Sequence, residues 1–149
     1  MIKKIAVGIA IGSDHAGFKL KQVLKNYLMH LGWDVLDLGC DSEKSVDYPD
    51  YGFMVADKVA NGEVKFGLVI CGSGIGISIA ANRNNKARAA LCYSAEIAKL
   101  SRQHNDANIL ALGSRFTSDE DAKKYLDVFL STEFEGGRHS DRVNKLYNC

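Results

Sequence analysis

Short runs of consecutive hydrophobic residues alternate along this chain with stretches in which hydrophobic residues recur every three or four positions. The runs at 5–11, 66–70 and 108–112 are typical of strands that are buried on both faces. Between them, residues such as Leu20, Leu24 and Leu28 recur at helical spacing, with lysines on the other face. The pattern predicts strands at 5–11, 34–38, 66–70, 87–92 and 108–112. It predicts helices from Phe18 to Gly32, from Pro49 to near Gly62 and over 75–82. A fourth helix is expected from the cap Ser94 through Leu100, and a fifth after a capping box of Thr117 and Glu120. A short terminal helix is indicated by the apolar stripe of Val143, Leu146 and Tyr147.

This alternation predicts a doubly wound α/β fold. Five mainly parallel strands would form the middle layer of a three-layer αβα sandwich, Rossmann-like, with an extra C-terminal helix. We expect residues 1–149 to form one domain. In such sheets ligands bind beyond the carboxyl ends of the strands. The strand ends GSDHAG, CGSGIG and GSR should therefore share one edge.

Composition and charge exclude several classes of function. Hydrophobic residues make up 46% of the chain and charged residues 25%, which is ordinary globular usage, and the net charge of +1 offers no basic field for nucleic acid. No apolar run is long enough to cross a membrane. Lys3 and Lys4 precede IAVGIAI, but no cleavage site follows, so a buried strand is expected rather than an export signal. We therefore expect a cytoplasmic protein whose cysteines are reduced.

The segment CGSGIG is the most specific chemical signal. Cys71 ends a predicted strand, and Gly72, Gly74 and Gly76 let the backbone approach a ligand closely. If a helix starts here, its first N–H groups could hold an anion or a developing oxyanion, and its dipole would favour a thiolate. The alternative is a buried cysteine before a tight turn. The three glycines favour the functional interpretation.

Three known motifs do not fit this segment. A dinucleotide fingerprint requires glycine at position 77, which is Ile77. A phosphate P-loop requires a Gly-Lys pair that is missing here. A cysteine phosphatase would carry arginine where Ile77 stands. The interpretation that remains is a thiol beside backbone N–H groups that could bind an oxyanion.

Other polar residues are candidates for binding. Asp14 and His15 follow the first strand and could contact sugar hydroxyls and phosphate, or Asp14 could simply cap a helix. His104 precedes a strand and is expected on the rim of the same edge, although a lone histidine is usually structural. Arg138 and Arg142 are four residues apart, which suits a phosphate dianion, although for an isolated pair a solvated surface turn would be the better interpretation. Arg115 is a third cationic candidate; His30, Cys40, Cys92 and Cys149 receive no role.

Taken together, five blocks resemble the ribose-5-phosphate isomerase B family, within the group that also contains galactose-6-phosphate isomerase subunits. The blocks are DHAGF, DYPDY, CGSGIGISIAANR, SRQHNDANILALGSR and EGGRHSDRV, in this order over nearly the whole chain. This chain departs from the family pattern only at its start, where a few extra residues precede Asp14. Some members carry a catalytic glutamate elsewhere in the loop, and Cys71 places this chain with the cysteine-based members.

The resemblance implies an aldose–ketose isomerase that interconverts D-ribose 5-phosphate and D-ribulose 5-phosphate without metal or cofactor. It implies a homodimer or a pair of dimers, with sites at the subunit interface. Cys71 would be the base, Ser73 would assist it and His104 would open the sugar ring. The implied substrate-binding residues are Asp14, His15, Tyr48, Gly72, Gly74, Ile75, Gly76, Asn105, Arg115, Arg138 and Arg142.

Two other functions compete with this one. A related isomerase could act on a six-carbon sugar phosphate, such as allose or galactose 6-phosphate, and the residues separate these substrates poorly. A non-catalytic sugar-phosphate sensor would need the arginines but neither Cys71 nor His104, and both are present.

Overall fold

The computed structural model describes residues 8–148 and confirms the α/β sandwich. The strands are β1 (Gly8–Ser13), β2 (Asp34–Asp37), β3 (Phe66–Cys71), β4 (Ala89–Leu91) and β5 (Ile109–Gly113). The helices are α1 (Phe18–His30), α2 (Tyr48–Ala60), α3 (Ile75–Ala81), α4 (Ala95–Asn105), α5 (Asp119–Ser131) and α6 (Arg138–Leu146), and a single 3-10 turn spans His15–Gly17. Positions 5–7 of the first predicted strand lie outside the described residues.

The five strands form one sheet in the order β2-β1-β3-β5-β4, and every pairing is parallel. β3 is the central strand, so Cys71 at its end lies in the middle of the carboxyl edge. In the register, Ser13 of β1 pairs with Ile70 and Gly113 of β5 pairs with Cys71. The ends of β1, β3 and β5 therefore stand side by side.

Helices cover both faces of the sheet. On one face α1, α4 and α5 pack on Leu68, Ile70 and Leu110. On the other face α2 and α3 pack on Val69 and Cys71. Side chains alternate between the faces along a strand, so Cys71 points towards the start of α3 rather than towards α1.

Two details differ from the prediction. α5 is capped by Ser118, whose hydroxyl accepts from the Asp121 N–H at 3.1 Å, and not by Thr117. Thr117 is instead buried, and its hydroxyl has no partner within residues 8–148. Of the three residues of the predicted apolar stripe in the terminal helix, only Val143 is buried, whereas Leu146 and Tyr147 are exposed. Among residues 8–148, no helix combines the length and apolar character that crossing a bilayer requires.

Candidate active site

Backbone hydrogen bonds join the ends of three strands into one surface. The Asp14 N–H donates to the Ile70 carbonyl at 3.2 Å, which ties β1 to β3. The N–H groups of Ser114 and Arg115 donate to the carbonyls of Cys71 and Gly72 at 2.9 and 3.0 Å, which ties β5 to β3. The prediction that these three strand ends share an edge is confirmed.

Cys71 presents its sulfur to the loop that follows it. The N–H of Gly74 donates to Cys71 Sγ at 3.1 Å, so the sulfur acts as a hydrogen-bond acceptor. Gly74 has a φ of +79°, a conformation that favours glycine. A Cβ at Gly74 would also lie 2.8 Å from the Leu112 carbonyl carbon. The turn that aims this N–H at sulfur therefore depends on Gly74.

The other two glycines of the loop make room for neighbouring side chains. A Cβ at Gly72 would lie 2.6 Å from Nη1 of Arg115, so this guanidinium covers the loop backbone. A Cβ at Gly76 would lie 2.6 Å from the ring of Tyr48, the first residue of α2. These contacts place Arg115 and Tyr48, two predicted binding residues, on the Cys71 loop.

Ser73 lies between the thiol and the start of α3. Its hydroxyl accepts from the N–H of Ile75 at 3.1 Å, and its carbonyl accepts from the hydroxyl of Tyr93. Two loop amides, those of Gly74 and Ile75, are thus already partnered inside the loop. Within residues 8–148 the N–H groups of Ser73 and Gly76, both partly exposed residues, have no hydrogen-bond partner, which leaves them available to an oxyanion. The contact from Tyr93 was not predicted, because a lone tyrosine after a strand carries no motif.

Asp14 and His15 lie on the same edge. Asp14 is buried, and its Oδ1 accepts from the Gly17 N–H at 3.1 Å. The capping interpretation of Asp14 is therefore confirmed. His15 Nδ1 accepts from the N–H of Val46 at 3.1 Å. This bond fixes the ring and leaves its Nε2 available for a ligand.

His104 does not lie on this edge in the same chain, and that part of the sequence prediction is wrong. α4 begins after β4 at the carboxyl edge and runs back along the sheet; its 11 residues span about 16 Å. His104 is in its last turn and precedes Ile109, which starts β5. Ile109 is four residues before Gly113, the partner of Cys71, and so lies about 13 Å from it along the strand. His104 and Asn105 therefore lie near the amino edge.

A second polar cluster surrounds His104. Its ring stacks on His139 of α6, with centroids 4.4 Å apart and planes at 13°. His104 Nε2 lies 3.7 Å from Oε1 of Glu135. Burial lowers the pKa of His139, the positive charges of His104, Arg138 and Arg142 lower it further, and Glu135 partly opposes them. Glu135 and His139 lie in the block EGGRHSDRV but received no role from the sequence, because only the fold brings them to α4.

The two candidate arginines of α6 belong to this second cluster. Arg138 and Arg142 lie one helical turn apart, and both are exposed. Arg138 Nε lies 3.5 Å from His139 Nε2. Asn105 lines a nearby cavity of about 600 Å³, which Cys71 does not line. Each chain thus carries two separate clusters, one around Cys71 and one around His104.

These features define an α/β protein with a thiol and free backbone amides at the centre of the carboxyl edge. A family model described as Ribose/Galactose Isomerase matches residues 9–146. The ribose-5-phosphate isomerase B of Escherichia coli is 49% identical over 138 residues, 93% of each chain. The structure of a ribose 5-phosphate isomerase from Thermotoga maritima is 50% identical with a TM-score of 0.94, and the match covers 96% of this chain and 99% of that chain.

One similar structure contains a sugar phosphate. The ribose-5-phosphate isomerase B of Mycoplasma genitalium, solved with bound ribulose-5-phosphate, is 42% identical with a TM-score of 0.92, and the match covers 97% of this chain and 96% of that chain. The chain belongs to the Ribose/Galactose Isomerase family, and it is an isomerase.

Proposed function

We propose that this enzyme interconverts D-ribose 5-phosphate and D-ribulose 5-phosphate through ring opening and an enediolate intermediate. The observation that carries the proposal is the Cys71 loop, in which the sulfur accepts an N–H and further amides of the loop have no partner. An aldose–ketose isomerase has to remove a weakly acidic C–H proton and to stabilise the oxyanion that forms. The ligand of the Mycoplasma genitalium relative supports this choice of substrate.

Cys71 is proposed as the base that moves a proton between C2 and C1. Ser73 assists through its hydroxyl, and the loop from Gly72 to Gly76, with Ile75, holds the enediolate oxygen through backbone N–H groups. Loss of one such donor typically lowers the rate about 100- to 1000-fold. The cycle uses side chains and backbone only, with no cofactor.

The remaining predicted residues bind the sugar and its phosphate. His104 is proposed to open the ring, since an imidazole can both give and take a proton near neutral pH. Asp14, Tyr48 and Asn105 are proposed to contact the sugar hydroxyls. His15, Arg115, Arg138 and Arg142 are proposed to hold the phosphate end, which converts remote binding into alignment of the reacting carbons.

We propose that two copies of the chain complete each site. His104, Asn105, Arg138 and Arg142 are too far from Cys71 to act with it in one chain, so a partner has to supply them. A two-fold dimer would place the His104 cluster of each chain beside the Cys71 loop of the other. Exposed apolar residues near Tyr48 offer a surface for this contact; they are Phe53, Met54, Ile75 and Ile79.

We also propose that the enzyme works in the cytoplasm. Cys40, Cys71 and Cys92 are free thiols, as expected of a protein that folds in a reducing compartment.

Replacement of Cys71 by serine tests the base. Cys71→Ser keeps the shape of the side chain but removes the thiolate, so kcat for ribose 5-phosphate should fall by about 100-fold or more. Calorimetric binding of ribose 5-phosphate should persist. Cys92→Ala is the matched control: Cys92 is fully buried, its pKa is raised to about 11 mainly by burial, and its side chain packs on the face of the sheet opposite to that of Cys71. Near-normal turnover by Cys71→Ser would refute the assignment.

A six-carbon substrate is the second candidate, because the matched family model covers galactose as well as ribose isomerases. Parallel measurement of kcat/KM on ribose 5-phosphate, allose 6-phosphate and galactose 6-phosphate decides between them. The highest value is expected for ribose 5-phosphate. A higher value for either six-carbon sugar would assign the enzyme to that substrate.

A further inference from the structure

Three side chains near the amino edge of the sheet bring together the ligand types that zinc prefers. One ligand atom from each of His104, Glu135 and His139 lies within 4.8 Å of the other two. Two imidazoles and one carboxylate form the ligand set of many protein zinc sites. Glu135 and His139 have no part in the catalytic cycle proposed above.

The backbone already holds these three residues in place. The N–H of Glu135 donates to the carbonyl of Gln103 at 3.1 Å, which fixes the loop before α6 to the last turn of α4. His139 is buried in the first turn of α6, and its N–H donates to the Gly136 carbonyl at 3.1 Å. His104 and Glu135 are more exposed, so their side chains have room to turn towards an ion.

The distances are close to those of a bound ion. Around a tetrahedral zinc ion with ligands at about 2.1 Å, neighbouring ligand atoms lie about 3.4 Å apart. His104 Nε2 and Glu135 Oε1 are 3.7 Å apart. Closing the whole cluster from 4.8 Å needs each ligand atom to move by less than about 1 Å. The rings of His104 and His139, which stack with planes at 13°, also have to rotate so that both nitrogens point at one ion. The charge of Arg138 opposes a cation, and this exposed side chain has to swing away from His139.

We propose that His104, Glu135 and His139 bind one divalent ion of the zinc class and that this ion inhibits the enzyme. The proposal that the ion binds depends only on the geometry of these three side chains. The proposal that the ion inhibits the enzyme rests on the proposed function, because an ion-bound His104 could no longer open the sugar ring. Because His104 would serve the neighbouring subunit's substrate, the ion and the sugar phosphate should compete. The ion is therefore an inhibitor and not a cofactor.

Titration of the metal-free enzyme with zinc chloride in phosphate-free buffer tests binding directly. One ion should bind per chain by calorimetry, and Glu135→Gln and His139→Gln should each weaken binding by about tenfold or more. His30→Gln is the matched control, since His30 is an exposed histidine remote from the cluster, and it should bind like the unaltered enzyme. Cys71→Ser should also keep the ion.

Two results would overturn the proposal. One is the absence of saturable binding to the unaltered enzyme. The other is binding that survives in His139→Gln and disappears in Cys71→Ser, which would place the ion on the thiol. Turnover of ribose 5-phosphate without metal is measured separately. If that activity is absent while zinc still binds through Glu135 and His139, then the proposed function fails and the metal site stands.

Discussion

At Cys71 a single strand-end residue combines two requirements that usually conflict. The side chain is only 4% exposed, which protects a reactive sulfur from bulk water, yet Sγ still accepts a hydrogen bond from Gly74. A buried acceptor without a partner would be costly, so this N–H stabilises the sulfur where it lies. Two other amides of the loop, those of Ser73 and Gly76, have no hydrogen-bond partner within the described residues. Gly74 therefore sets both the position of the proposed base and the course of the loop that carries these amides.

The close contact between Gly76 and Tyr48 yields a residue-scale prediction. In Gly76→Ala the new methyl group would lie 2.6 Å from the Tyr48 ring and has to displace it. The ring is 41% exposed and can swing outwards, so the unfolding midpoint should change little. Turnover of ribose 5-phosphate should fall about tenfold or more, because the tyrosine leaves the sugar site.

Gly32→Ala serves as the matched control for folding. Gly32 has a φ of +91°, so an alanine there is strained, but no atom lies within 4 Å of the new Cβ, and Gly32 follows the end of α1, remote from Tyr48. It should lower stability more than Gly76→Ala does. Unchanged kcat/KM in Gly76→Ala would show that the position of Tyr48 does not matter to the reaction.

At the scale of elements, α1 and β2 are held together by a buried ion pair. Lys21 of α1 is 1% exposed, and its Nζ donates to both carboxylate oxygens of Asp37 at 2.8 Å. Lys25 reaches the same carboxylate at 3.1 Å. Burial raises the pKa of Asp37, but hydrogen bonds from Lys21, the Gly39 N–H and Lys25 outweigh it, so the net pKa is lowered. A charged Asp37 is thus part of the folded state.

Asp37→Asn should destabilise the fold by about 3 kcal/mol, because it leaves the buried Lys21 ammonium without its counter-charge; the value is at the low end for a buried pair since Asp37 is 20% exposed. Chemical denaturation measures the change. The double variant Lys21→Met with Asp37→Asn is the matched control and should recover most of the loss, since no buried unpaired charge remains; Lys25 also loses its partner but is partly exposed. Equal stability of the two variants would show that the lysine finds other partners.

The same pair predicts how stability depends on pH. A carboxyl whose folded pKa lies below its unfolded value stabilises the protein above the unfolded pKa, near 3.8 for Asp37. That contribution is lost as pH falls through the folded pKa. The unaltered enzyme should therefore lose stability below about pH 4 more steeply than Asp37→Asn.

The local pattern predicted the elements well because each has its own physical signal. β3 is a continuous apolar run, and α4 begins after Ser94, whose hydroxyl accepts from the Ile97 N–H at 3.1 Å. The cap of α5 was misplaced by one residue, since Thr117 and Ser118 are both competent caps and only tertiary packing buries Thr117. The strand order β2-β1-β3-β5-β4 depends on crossovers, which no local pattern encodes.

The sequence predicted the identities of the candidate site residues more reliably than it predicted their positions in the fold. The Cys71 loop, Arg115 and Tyr48 meet as expected because they follow strand ends or pack on the loop glycines. His104 was expected on the same edge because it precedes a strand. A helix that returns along a parallel sheet ends at the opposite edge, and this reversal determines its position.

At the scale of the whole molecule, one chain contains both halves of the proposed chemistry but separates them. The thiol, the amide cradle and Arg115 lie at the carboxyl edge, whereas His104 and the two arginines of α6 lie near the amino edge. On the proposed function a monomer would therefore be inactive. We propose that only an assembly that brings opposite edges of two chains together makes a complete site.

Mixing two inactive variants tests that claim most directly. Cys71→Ala and His104→Ala each disable every site of their own dimer. In a mixed dimer, one site joins the intact thiol of one chain to the intact histidine of the other. If equal amounts are unfolded and refolded together, a 1:2:1 distribution of dimers should restore about a quarter of the native turnover of ribose 5-phosphate. Mixed samples that stay as inactive as the separate variants, although mixed dimers are present by mass spectrometry, would contradict a site shared between subunits.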